Sequence, residues 1–116
     1  MNVSAQRLAA SYWLAAGDPV RASAVLEGLA ARLGATDALT MAGIAYAYTD
    51  DGTAERALPY AAHAYRLLPA SAVTSDALGW ALYNAAPEDP RGLALLEKAA
   101  QLSPREPLVR WHLGEA

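Results

Sequence analysis

Cysteine and phenylalanine are both absent from the 116 residues. Without thiols there is no disulfide framework and no thiolate metal site, and the redox state of the compartment leaves no trace. Positive charge is scarce: nine Lys plus Arg stand against twelve Asp plus Glu, a formal charge of −3. Nucleic-acid binding needs a basic footprint that displaces counterions, so nucleic acid is not an expected partner. No apolar run reaches the ~20 residues of a membrane-spanning helix, and membrane insertion is not expected either. The N-terminal stretch is a poor signal peptide, because its early cation Arg7 sits among polar residues and Ser11 breaks the apolar run that follows. It reads as a first helix, and the compartment stays open between cytoplasm and periplasm.

What is abundant is alanine. Twenty-nine alanines, a quarter of the chain, favour helices packed at close range, since alanine combines the best helix propensity with the smallest Cβ-bearing side chain. One hundred and sixteen residues suit a single domain with a core of its own.

The strongest signal is an internal repeat. Small residues beside an apolar one recur at Ala9, Gly43, Gly79 and Gly114, separated by 34, 36 and 35. A second set of tracks keeps a period of 35: Ala22, Ala57 and Gly92; Leu26, Ala61 and Leu96; Leu29, Ala64 and Ala99; Gly34, Pro69 and Pro104. Each unit reads as two helices. The first helices are expected over 3–16, 37–48 and 72–85, and the second over 20–33, 54–68 and 90–102. Asp18-Pro19 and Asp89-Pro90 each place a capping carboxylate before a proline whose missing N–H is harmless at a helix start. Asp50-Asp51-Gly52-Thr53 is a turn, with Thr53 or Asp51 as the next cap, and Gly34, Pro69 and Pro104 end the second helices. Pro59 falls inside a second helix, which predicts a kink or a helix that begins later than Ala54.

With those tracks in view the chain resembles a tetratricopeptide repeat (TPR) protein. Gly43, Gly79, Gly114 and Ala9 match the family's small eighth position, and Tyr12, Tyr46 and Leu82 its large eleventh. Ala22, Ala57 and Gly92 match the twentieth, Ala64 and Ala99 the twenty-seventh, and Pro69 and Pro104 the closing proline. Leu29 and Gly34 depart from the pattern, and the inter-helix turns carry one or two extra residues. "DALGWALYNA", "LLEKAAQLSP" and "VRWHLGEA" further resemble the C-terminal repeats of bacterial TPR proteins of exopolysaccharide export and envelope protein sorting. The resemblance implies an all-α, right-handed solenoid of helical hairpins in one domain, 1–116: units at about 1–35, 36–70 and 71–105, with 106–116 beginning a fourth and capping the third.

It also implies a function. In such solenoids the first helix of each pair lines a concave face that binds protein or peptide segments. By register that face carries Arg7, Trp13, Met41, Ile44, Tyr48, Trp80, Tyr83, Asn84 and Trp111, with Asp76, His112 and Glu115 among them. All three tryptophans fall on it, a residue type enriched at binding hot spots. A clamp for carboxylates would need several cations, and Arg7 is the only one, so an apolar or helical partner segment fits better. The competing reading of the same aromatics is packing between repeats.

No chemistry competes with binding. His63 and His112 lack ligand spacing, Asp50-Asp51-Gly52 lacks the alternating ligands of a calcium loop, and no serine sits in a nucleophile elbow. No catalysis, metal or cofactor is expected. The alternatives to a binding module are a structural brace that self-associates, or an accessory domain of an export or enzyme complex. "LVRWHLGEA" at the end repeats the Leu-Gly of unit three, so either the chain was trimmed there or Trp111 and Leu113 meet another molecule, for instance as a homodimer through the open C-terminal end.

Overall fold

A computed structural model describes residues 16–18, 20–22, 24–25, 27–28 and 37–115. The helix expected over 3–16, the Gly34 stop, Arg7 and Trp13 lie outside or almost outside them. Residues 20–22, 24–25 and 27–28 are helical. Five further helices follow: α1 (Ala38–Asp50), α2 (Ala54–Leu67), α3 (Ala72–Ala85), α4 (Pro90–Leu102) and α5 (Pro107–Glu115). No described residue is in a strand.

The starts and stops follow from local chemistry. Asp37 caps α1 by accepting from the N–H groups of Leu39 at 3.1 Å and Thr40 at 3.2 Å. Ser71 and Asp89 do the same for α3 and α4, the latter with Pro90 at the first helical position. The stops of α2, α3 and α4 share one cause. Leu68, Ala86 and Ser103 each precede a proline, and each sits at φ between −136° and −146° with ψ of 77–79°, outside the helical region that the proline ring crowds.

The turn after α1 departs from expectation in detail. Gly52, at φ 82°, donates to Thr49 O at 3.1 Å, and Thr53 N–H donates to Tyr48 O at 2.9 Å, which is the Schellman pattern. Helix α1 therefore runs two residues past the expected 48. Thr53 does occupy the N-cap position of α2, yet its hydroxyl donates back to Tyr48 O at 2.9 Å and makes no capping bond. Pro59 does not delay α2, which begins at Ala54. The proline is exposed, so the Glu55 carbonyl it leaves without an amide partner is on a wet face of the helix.

Three of the four period-35 tracks mark packed faces, while Pro69 and Pro104 of the fourth are exposed at the helix ends. Ala22, Ala57, Ala61, Ala64, Leu96 and Ala99 are all fully buried, and Gly92 is buried with them. Helix α1 packs on α2 and α3 on α4, giving two hairpins; α3 then packs on both α1 and α2, and α5 on both α4 and α3. A hairpin with one apolar face cannot cover it alone, so stacking builds a continuous core. The first helices α1, α3 and α5 form one row, and the molecule is a helical-hairpin solenoid.

Glycine sets the spacing of the second hairpin. A Cβ on Gly79 would stand 2.9 Å from both Gly92 O and Leu96 N, and one on Gly92 would stand 3.0 Å from Tyr83 N. Only paired glycines allow α3 and α4 to cross at that distance.

Candidate functional site

The row of first helices is held together by polar groups as well as by small residues. Tyr46 extends from α1 and its hydroxyl donates to Asp76 Oδ2 on α3 at 2.5 Å. His112 of α5 reaches the same oxygen through Nδ1 at 2.7 Å. Asp76 is fully buried and His112 is 1% exposed, so a single carboxylate ties three helices together inside the protein. Such an arrangement is stable only while each member is paired. Burial, and then the Asp76 carboxylate, push the Tyr46 hydroxyl well above the usual tyrosine range.

Around that carboxylate the aromatic rings stack. His112 lies on Trp80 with ring centroids 4.1 Å apart and planes 8° from parallel. Tyr83 also stacks with the indole at 5.9 Å, and Trp111 leans against it at 5.7 Å. Tyr83 also donates from its hydroxyl to the Glu115 carbonyl at 3.1 Å, which fastens the last turn of α5. Helix α5, nine residues long, is too short to persist alone; Val109 and His112 are its buried anchors.

The rim differs from the interior. Trp111 is 54% exposed, Asn84 is exposed with its amide donating to Trp80 O at 2.8 Å, and Tyr83 is half-buried. Trp80 is 8% exposed; its indole N–H has no partner at bonding distance among the described residues, but is turned toward Asp50 at the end of α1. Partial burial pushes the Asp50 carboxyl up, and the Trp80 N–H and His112 oppose that push.

The structure thus separates the residues that register alone had placed on one face. Trp80, Tyr83, Asn84 and Trp111 come together at the α3–α5 junction. Met41 (2% exposed) and Ile44 (fully buried) lie in the core and present no surface. Tyr48 is buried on the side of the second helices, where it hydrogen-bonds Glu27, accepts from Arg56 Nη2 at 3.2 Å and stacks on Tyr60 at 5.8 Å. Alanine and threonine neighbours are too small to hold α1 away from its surroundings, so its middle sinks into the core. Arg7 and Trp13 lie outside the described residues. The residues that single-position reasoning undervalued are Asp76 and His112, 36 apart and therefore one repeat apart, a spacing that already marked them as neighbours in adjacent first helices.

No cluster of three or more His, Cys, Asp or Glu among the described residues is arranged to hold a metal, and no helix of the described residues is long and apolar enough to cross a membrane.

No known family's sequence profile matches the chain, and no curated protein matches it. Solved structures do. The second TPR domain of human RPAP3, determined by NMR in complex with the HSP70 peptide SGPTIEEVD, superposes with a TM-score of 0.73 over 95% of this chain and 90% of that one, at 20% identity. That structure is human, and the bacterial source suggested by the C-terminal motifs draws no support from it. Stacked hairpins at a period of 35, small residues at the crossings and prolines at the closings coincide with that superposition: the chain has the tetratricopeptide-repeat fold.

Proposed function

We propose that this protein is a protein- or peptide-binding module whose contact surface is the aromatic wall where α3 meets α5. One observation carries the reading: Trp111 is more than half exposed while resting on the rings of Trp80, which is buried, and of His112, which a buried hydrogen bond to Asp76 holds in place. A preorganised aromatic surface binds at low entropic cost, and a large exposed indole suits an apolar or helical segment. The matched human domain carries a bound peptide, which supports the same use of the fold here. Trp111, Tyr83 and Asn84 form the proposed contact set, backed by the buried Trp80; Met41, Ile44 and Tyr48 drop out because they are buried away from it. Arg7 and Trp13 belong to the proposal only as register places them. The module has no catalytic role of its own in this reading and takes no cofactor.

The test is a titration of the full chain with fluorescein-labelled amphipathic helical peptides, read by anisotropy and by tryptophan emission. Saturable binding that weakens about tenfold or more in Trp111→Ala is the expected result. Binding indifferent to Trp111→Ala would relocate the site, and an absence of binding across the panel would remove the function.

A second reading, self-association through the C-terminal end, has its own observation. Gly114 has nothing within 4 Å of its would-be Cβ, and Leu108 and Trp111 are exposed on the same helix. Light scattering at several concentrations decides it: a dimer that dissociates on dilution and vanishes in Trp111→Ala would support self-association, and a monomer throughout would end it.

A further inference from the structure

We propose that the α3–α5 surface selects a cationic partner, a peptide segment whose arginine or lysine side chains lie over Trp111 and reach carboxylates at either edge of the wall. The proposal rests on the peptide-binding reading and names the chemistry of its ligand.

The surface is built from rings and negative charge. Trp80, Tyr83 and Trp111 form one continuous patch, with centroids 5.7 and 5.9 Å from the central indole. Asp50, exposed one turn beyond Tyr46 on α1, stands on the side of Trp80, itself one turn beyond the Asp76 that Tyr46 bonds, and Glu115, exposed one turn beyond Trp111, shares that residue's side of α5. Among the described residues neither Asp50 nor Glu115 forms an ion pair with a lysine or arginine, and only His112 acts on Asp50, from a distance. Arg110 precedes Trp111 on α5 but points about 100° around the helix from it. The one cationic candidate inside the wall, His112, is buried and committed to Asp76.

Two physical effects then favour the same ligand. An exposed indole face attracts a guanidinium or ammonium through its ring quadrupole, and arginine additionally stacks on it. Unneutralised carboxylates beside the ring add attraction for cations and repel acidic segments, so they discriminate by sign even where they contribute little affinity. The net charge of −3 acts in the same direction at long range.

The test uses the full chain and two labelled nonapeptides with one apolar pattern, alternating leucine with arginine in one and leucine with glutamate in the other. The arginine peptide is expected to bind at least about tenfold more tightly, with the preference shrinking severalfold on raising salt to about 0.5 M. Asp50→Asn should weaken the arginine peptide about twofold to fivefold with circular dichroism unchanged, and Trp111→Ala about tenfold. Equal or tighter binding of the glutamate peptide would overturn the charge selection while leaving a peptide-binding module in place. If neither charged peptide binds but an uncharged amphipathic helix does, the cationic partner is again overturned. If nothing binds, both readings fall.

Discussion

Leu78–Gly79 and Leu113–Gly114 are the same dipeptide one repeat apart, and their surroundings are opposite. At Gly79 the backbone of α4 comes so close that a methyl group would sit 2.9 Å from a carbonyl oxygen and an amide nitrogen. At Gly114 the same methyl would meet nothing within 4 Å. Helix α3 is clasped on one side by glycine-lined packing and bonded on the other through Asp76; α5 is held by Val109, His112, the ring stack and the Tyr83 hydroxyl, with no glycine-lined crossing. A repeat motif records what a position tolerates when its partner helix is present. The constraint becomes energetic only where the partner is there to enforce it.

The largest expected effect tests what holds α5. Asp76→Ala leaves the His112 N–H without its acceptor in a buried site and the Tyr46 hydroxyl with only the Val73 carbonyl at 3.2 Å, and should lower stability by about 3 kcal/mol in urea unfolding. A loss under about 1 kcal/mol would mean that the three first helices do not depend on that carboxylate. Next comes the glycine comparison itself. Gly79→Ala should cost about 1–3 kcal/mol through overpacking against backbone that cannot step aside. Gly114→Ala should be neutral or stabilising, by up to about 1 kcal/mol, because alanine is the better helix former and nothing opposes it. Equal melting temperatures for the two variants would break the comparison.

An alkaline titration sharpens the role of Tyr46. Its hydroxyl titrates higher in the fold than in the unfolded chain, so its contribution is complete below about pH 10 and is lost as pH rises beyond it. The unfolded chain has then released a proton that the native state keeps, and stability should fall by about 1.4 kcal/mol per pH unit until the native hydroxyl also ionises. Tyr46→Phe should flatten that slope, and a slope that persists unchanged would assign it to another group. The smallest effect concerns the start of α1: Asp37→Ala removes the acceptor for two backbone N–H groups and should cost about 1 kcal/mol, visible as a shift in the urea midpoint.

Much of the fold was legible because its causes are local or periodic. Prolines at 69 and 104 end helices through the sterics of the preceding residue, as Pro87 does in the same way, and the period-35 tracks mark faces that must be buried somewhere. The turn at Asp51-Gly52 was legible as a turn, while the destination of the Thr53 hydroxyl was not, because a hydroxyl can either accept from the N–H groups of the next helix or donate to a carbonyl of the last one. The surface proposed for contact was legible in part. Register grouped the residues of the first helices correctly in sequence but could not separate Trp111, left outside, from Ile44, drawn in among alanines.

The sequence by itself determined that this chain is helical, that its helices pair at a period of 35 and where most of them begin and end, since propensity, capping and proline geometry act within a few residues. Only the tertiary structure decided which aromatics meet solvent, that Tyr46, Asp76 and His112 converge on one oxygen, and that two identical Leu-Gly pairs carry different loads. Those outcomes depend on how closely neighbouring helices approach, and that distance belongs to pairs of helices rather than to any one stretch of chain.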